Sequence, residues 1–442
     1  MARRFRDVVP FPRLKPGLYG AHLHTPPSFV SNTHMNTALY HQWLVQLTSL
    51  PTAAGCEDRV IAWIEQWAKQ RKYCKLSRDR YGNITLQSTR AKRSTSAALP
   101  PIYFTAHMDH PAFVVREILS DKELLADFRG GVEASYFADA KVFLWRNQSE
   151  KAGKRESEKT QRTGKIVEMT PPVPGKTLDK SVRVRFIQSH HAAVGDILTW
   201  HLKPTAIRGD RVKAPACDDL AGLAAALAAF DAIHSKPLRP RRASASPAPA
   251  SAPASASAAA AASATAPDVR LLLTRCEEVG FIGAIGACKA KTIPRKALVI
   301  ALENSKSFAE SPIGAGPIVR VGDRTSTFDP DLTYRIGMVA QALATENKSF
   351  QWQRKLMTGG TCEASAYQSF GHIATCICLP LGNYHNMNEA TKKIDHEIIS
   401  LSDYDNLIHL LVAVGERLHD PKLAPPLKPR LENLFKSRSG LL

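Results

Sequence analysis

The chain has 442 residues, 44% of them hydrophobic, which is enough for two to three domains with a large core. Lysine and arginine outnumber aspartate and glutamate 59 to 40, but the excess gathers in "MARRFRDVVPFPRLKPG", "KAGKRESEKTQRTGK" and "KPLRPRR". Those stretches read as a tail and two loops, so the charge is read as incidental surface charge, and a nucleic-acid partner is not expected despite it. No run of 18 apolar residues suggests a transmembrane helix, and the N-terminus lacks the apolar centre of a secretory signal. The eight cysteines follow no zinc-ribbon or disulfide-framework spacing, which suits a reducing compartment, the cytoplasm.

Residues 1–34, rich in proline and arginine, read as a disordered basic tail. "ALYHQWLVQLTSL" and "EDRVIAWIEQWAKQRK" carry apolar residues at three-to-four spacing and predict two amphipathic helices. "YGNITLQ" and "PIYFTA" predict strands. From 116 to 213 the pattern changes to short apolar runs ("VREIL", "KVFLW", "GKIVEM", "SVRVRFI", "GDILTWHL") separated by turn formers and charges, as in a small antiparallel β-barrel or sandwich. "DDLAGLAAALAAFDAI" predicts an alanine-rich helix with aspartate at its N-cap. The Ala/Ser/Pro stretch within 240–267 cannot bury a core and reads as a flexible insert.

Strands and helices then alternate: "VRLLLTR", "FIGAIGACKA", "KALVIALE", "GPIVRVG", "PDLTYRIGMVAQALAT", "IATCICLPL" and "LSDYDNLIHLLVAVGERL". This order predicts an α/β domain, a mostly parallel sheet flanked by helices. It would comprise residues 35–115 and 214–420, with the β domain of 116–213 inserted into it and a C-terminal tail at 421–442.

Polar residues collect at the carboxyl ends of the predicted strands, where open α/β sheets bind their ligands. "PIYFTA" runs into His107 and Asp109, "VRLLLTR" into Glu277 and Glu278, "KALVIALE" into Glu303, and "IATCICLPLGNY" into His385. Asp218 and Asp219 stand where the chain re-enters the α/β domain. Two histidines and several carboxylates form the ligand set of a Zn²⁺-type site. Their number suits two ions sharing a carboxylate, each with one histidine and one further carboxylate. Of the paired glutamates, one would then face metal and the other would serve as general base toward water.

In their order, "AHMDH", "GDRVKAPACDDLAG", "TRCEEVGFIGA", "ALENS" and "PLGNYHNMNE" resemble the glutamyl-aminopeptidase and tetrahedral-aminopeptidase family of co-catalytic dizinc metallopeptidases, over roughly residues 36–420. The resemblance implies an aminopeptidase acting on peptides, with two divalent metals, zinc or alternatively cobalt or manganese, and a homo-oligomeric assembly. It implies that His107 and Glu303 bind one metal, Glu278 and His385 the other, and that Asp218 bridges them. Glu277 would be the general base, Asp109 would orient His107, and the peptide bond between Asp218 and Asp219 would be cis. The chain departs from the pattern at three places. Glu303 stands where aspartate is usual. The family's "GGTDA" becomes "GGTCEA", so that Gly360, Thr361, Cys362 and Glu363 form an altered substrate side. Gly382 and Asn383 replace the Arg and Tyr that precede the last histidine. Two rivals follow: a dizinc deacylase or amidohydrolase acting on another amide, and a non-catalytic basic oligomeric binding protein that keeps the fold.

Overall fold

The computed structural model describes residues 35–90, 99–146, 162–170, 180–235, 267–423 and 427–442. The 1–34 tail and the Ala/Ser/Pro stretch of 240–266 lie outside them. Helix α1 (Thr37–Thr48) starts at Asn36, whose side chain accepts a hydrogen bond from Leu39 N. Helix α2 (Asp58–Lys69) buries Val60, Ile61, Ile64 and Trp67 at the spacing that predicted it. Strands β1 (Cys74–Arg78), β2 (Ile84–Ser88) and β3 (Ile102–His107) begin the main sheet.

The chain then leaves the sheet to build a closed barrel from β4 (Ala112–Ser120), β5 (Glu123–Arg129), β6 (Lys141–Trp145), β7 (Arg162–Thr170), β8 (Lys180–Phe186) and β9 (Ile197–Trp200). Phe113, Phe128, Phe137 and Trp200 fill it, with ring centroids 4.9–5.9 Å apart and mostly edge to face. Barrel pairing thus starts at Ala112. The next strands, β10 (Ala206–Arg208) and β11 (Arg211–Ala214), belong to a separate small sheet.

Helix α3 (Leu220–His234) returns the chain to the α/β core. It is followed by β12 (Val269–Thr274), α4 (Ile282–Lys289), β13 (Leu298–Lys306), β14 (Ile318–Gly322), α5 (Pro330–Glu346), β15 (Gln353–Leu356), α6 (Glu363–Ser369) and β16 (Ile373–Leu381). A short hairpin, β17 (Met387–Asn388) and β18 (Lys393–Ile394), precedes β19 (Glu397–Ser400), α7 (Leu401–Arg417) and α8 (Leu427–Arg438). Strand β11 pairs with β19, which ties the exit from the barrel to the end of the core.

The main sheet has the order β1-β2-β12-β3-β13-β16-β14-β15. Its centre, β12-β3-β13-β16, is parallel, whereas β14 runs antiparallel to β16. Both faces are covered. On β12, Leu271 and Leu273 join the large core with α1, α3 and α7, while Leu272 points to the smaller core with α4 and α6. That alternation is why these strands read as nearly unbroken apolar runs. A parallel centre also brings its carboxyl ends together: His107 on β3 pairs in register with Thr274 on β12, and Glu303 on β13 with Cys378 on β16. Strands β1, β5, β10, β11, β15, β17, β18 and β19 and helix α6 match none of the runs quoted from the sequence, and α8 occupies residues read there as a tail.

Candidate metal centre

The last residue of β3 is His107, and Asp109 follows two positions later, both buried. The Asp109 carboxylate accepts the backbone N–H groups of Glu277 and Glu278, each at 3.0 Å. It therefore fixes the turn carrying the two glutamates. These do not sit on the strand itself: β12 ends at Thr274, and Cys276, at φ 55°, swings the chain into the turn. The buried carboxylate of Glu57 supports the same turn by accepting from Cys276 N at 3.1 Å and pairing with Arg275 at 2.7 Å.

Asp218 lies at the entry to α3, and the peptide bond to Asp219 is cis, as expected. Asp219 holds the N-cap position, yet its side chain caps nothing. It accepts from Asn304 Nδ2 at 2.9 Å, one residue beyond Glu303. A side chain on Gly222 would place its Cβ 2.1 Å from Asp219 Oδ1, so the carboxylate can sit against the first turn of α3 only because that residue is glycine.

These segments converge on Asp218. His107 Nε2 lies 3.5 Å from Asp218 Oδ1 and 3.9 Å from Glu303 Oε2. On the other side, His385 Nε2 lies 3.6 Å from Asp218 Oδ2 and 3.3 Å from Glu278 Oε1. Three donor groups result, His107–Asp218–Glu303, Asp218–Glu278–His385 and His107–Glu277–Glu278, with Asp218 common to the first two. Glu277 stands beside them, its Oε2 4.0 Å from His107 Nε2.

The second nitrogen of each imidazole settles its tautomer. His107 Nδ1 is 3.1 Å from the carbonyl oxygen of Asp109, and His385 Nδ1 is 2.6 Å from that of Gly131, in the loop after β5. A carbonyl only accepts, so each Nδ1 carries a proton and donates it. Each Nε2 is thereby directed, with its lone pair in the neutral ring, toward the carboxylates. For His107 the closest support is the Asp109 backbone carbonyl, with the carboxylate at 3.7 Å; that carboxylate serves mainly the glutamate turn.

The charge balance calls for cations. Asp109, Asp218, Glu277, Glu278 and Glu303 crowd two histidines, and among the described residues no lysine or arginine forms an ion pair with any of them. Burial pushes the carboxyls of Glu277 and Glu303 well above their ordinary range, and neighbouring carboxylates push them further. Burial alone would lower His107 and His385, but the surrounding carboxylates carry both well above the usual imidazole value. Asp218, despite its burial, is held below its usual value by the two histidines. Asp218 Oδ1, Glu278 Oε1 and Glu303 Oε1 are buried without a hydrogen-bond donor.

Divalent metals fit this set. A tetrahedral ion with bonds of about 2.0–2.1 Å needs donor atoms roughly 3.3–3.4 Å apart. The observed separations of 3.3–3.9 Å lie at and slightly beyond that edge length. Two divalent ions would also offset most of the charge of five carboxylates.

The altered "GGTCEA" segment divides. Gly360 and Thr361 line a cleft with Glu303, Asn304, Phe308 and Tyr384. Cys362 and Glu363 do not face it as exposed substrate contacts: both are buried, Cys362 packing with Cys376 and Cys378 and Glu363 meeting Thr105 and Tyr367. Sequence reasoning missed several supporting residues. Glu397, fully buried at the start of β19, accepts from Cys217 N at 2.6 Å, Asp218 N at 3.0 Å and His385 N at 2.9 Å. The ring of His110 lies 2.7 Å from the carbonyl oxygen of Asp218. For Glu397 the only signal was a lone acidic residue opening "EIIS", and for His110 the second histidine of "AHMDH".

No curated protein matches the chain. Among solved structures, an aminopeptidase from the archaeon Desulfurococcus kamchatkensis is 20% identical, with TM-score 0.64 over 88% of this chain and 97% of its own. The TET1 peptidase of Pyrococcus horikoshii, which can assemble into a tetrahedron or a large octahedral shell, is 18% identical, with TM-score 0.61 over 85% and 99%. An M18-family aminopeptidase from Thermotoga maritima is 11% identical, with TM-score 0.54 over 86% and 96%. At such identities the likeness establishes the fold, a mixed α/β unit with a mostly parallel sheet and a small closed barrel. The family model of the M42 glutamyl aminopeptidases matches residues 87–244 and 254–406, most of the chain. The chain therefore belongs to the M42 glutamyl aminopeptidase family and is a metal-dependent aminopeptidase.

Proposed function

We propose that the chain removes N-terminal residues from peptides at a centre of two divalent cations bridged by Asp218. His107 and Glu303 would hold one ion, Glu278 and His385 the other. The observation that carries this reading is the placement of the two imidazole nitrogens on opposite oxygens of one aspartate, at 3.5 and 3.6 Å. When bound there, the cations supply Lewis acidity toward the scissile carbonyl and lower the pKa of the attacking water. Zinc suits the donor set, and cobalt or manganese accepts it as well.

Glu277 is the general base. Its carboxylate takes a proton from the attacking water and delivers it to the departing amide nitrogen. Asp109 keeps the Glu277 and Glu278 backbones in register through its two hydrogen bonds. The cleft lined by Glu303, Gly360 and Thr361 receives substrate. The barrel restricts access and serves assembly, and the solved TET relatives support a homo-oligomer. Eight free cysteines, four of them buried, suit the cytoplasm.

The test is hydrolysis of aminoacyl-p-nitroanilides and their N-acetylated counterparts by metal-loaded and chelated enzyme, with Glu277→Gln alongside. Metal-dependent cleavage of the free-amine series, lost in the variant, is expected. Cleavage of blocked substrates alone would replace the aminopeptidase reading with a deacylase.

A further inference from the structure

A cavity of about 180 Å³ lies between the α/β core and the barrel and shares no lining residue with the cleft beside Glu303. Barrel strands β6 and β9 bring Phe143, Trp145, Thr199 and Trp200 to its wall, and the segment after α1 brings Leu50. Pro111 and Pro215, on the two crossings between core and barrel, also line it. Small-molecule sites favour such junctions and are mostly apolar with a few polar groups. An apolar cavity of about 150 Å³ holds a benzene ring, so this one has room for a single six-membered ring with a small substituent.

The polar side chains of the wall decide what that ring must carry. Thr52 Oγ1 donates to the carbonyl oxygen of Met108 at 2.9 Å. Ser49 Oγ donates to that of Val45 at 2.7 Å and accepts from Thr205 N at 3.0 Å. His110 meets the carbonyl oxygen of Asp218 at 2.7 Å and Asn386 Oδ1 at 3.0 Å. These three are already engaged. Thr199 Oγ1 accepts from Trp145 Nε1 at 2.8 Å, which leaves its own proton to give. Trp200 Nε1 is buried without a partner, and the exposed Lys203 ammonium has no ion pair or hydrogen bond among the described residues. What the wall leaves unpaired are donors, one of them charged, so a ligand must bring an acceptor, best an anion.

We propose that this cavity is a binding site for a single-ring aromatic carboxylate, with the ring against Phe143 and Trp145 and the carboxylate on Thr199 and Lys203. Such a ligand sits one wall away from the metal centre. His110 lines the cavity and holds the Asp218 carbonyl, and Pro215 and Ala216 lead directly into Cys217 and Asp218.

Benzoate and its neutral isostere benzamide are the probes. Each is titrated into the full-length protein, chelated and metal-loaded, while tryptophan fluorescence reports on Trp145 and Trp200. Benzoate is expected to bind saturably in both forms and about 3–10-fold tighter than benzamide, between the yield of an exposed ion pair and that of a charge-assisted hydrogen bond. Lys203→Met is expected to bring benzoate down to the benzamide level. Leu202→Phe, which adds bulk to the cavity wall, is expected to weaken both probes.

No saturable binding, or benzamide binding as tightly as benzoate, overturns the proposal on wild-type protein alone, whether or not the variants fold. Benzoate binding that vanishes on chelation overturns it too, because the carboxylate would then be sitting on the metals. So does an unchanged benzoate affinity in folded Lys203→Met. The experiment reads binding and not hydrolysis, so its failure leaves the aminopeptidase reading untouched.

Discussion

Glu397 is the position where substitution should expose most directly how the backbone builds the metal centre. Its buried carboxylate accepts two N–H groups from the Cys217–Asp218 segment and one from His385. It thus fastens Asp218 to the loop carrying His385. Glu397→Gln keeps the shape but leaves one accepting oxygen. The amide NH₂ must then face at least one backbone N–H, and one or two charge-assisted hydrogen bonds are lost. At about 1.5–3 kcal/mol each, tempered by the burial that raises the Glu397 carboxyl, the expected destabilisation of the chelated protein is about 2–4 kcal/mol. Displaced ligand backbones should also weaken metal binding by about 10–100-fold. Urea unfolding with a chelator present reads the first effect, and competition against a chromogenic chelator reads the second. A variant as stable as wild type, with the same metal affinity, would refute the reasoning.

Glu277→Gln should reduce kcat by about 10²–10⁴ while metal content stays at the wild-type level, because the proposed role of the residue is toward water rather than as a ligand; elemental analysis beside steady-state kinetics checks both halves. Glu363 supplies a pH test. Burial pushes its carboxyl up to about 7, above its value in the unfolded chain, so the unfolded state releases the proton first as pH rises. The chelated protein should therefore lose stability from about pH 4.5 to beyond 7, by about 3 kcal/mol at about 1.4 kcal/mol per pH unit. Glu363→Gln removes that slope, and parallel pH–stability curves for the two proteins would count against it.

The parts of the site that lie at ends of buried strands were readable from the sequence, because a long apolar run ending in a histidine or glutamate is itself the signal. His107 after "IYFTA" closes its strand, and Glu303 follows "LVIAL" although β13 continues to Lys306. Glu277 and Glu278 were legible as acids following a strand-like run, whereas what orients them, a turn begun by Cys276 and pinned by Asp109, was not. Glu397 and His110 escaped because their work is hydrogen bonding to backbone groups distant in sequence, which leaves no periodicity. Short β15, with four residues, and seven-residue α6 offered too few apolar positions to set a pattern. The β-insert was evident as a change of rhythm, but its edge was not. Strand β11 looks like one more barrel strand until its partner, Glu397–Ser400, is known.

The central claim is that two cations share Asp218, and metal stoichiometry tests it most directly. Chelated protein would be titrated with Zn²⁺ while bound metal and aminoacyl-p-nitroanilide hydrolysis are followed together, with Asp218→Asn in parallel. Activity rising to its maximum only as two ions bind per chain, with Asp218→Asn losing affinity at both steps, is the result this account predicts. Full activity at one ion per chain, or a variant that still binds two ions as tightly as wild type, would contradict it.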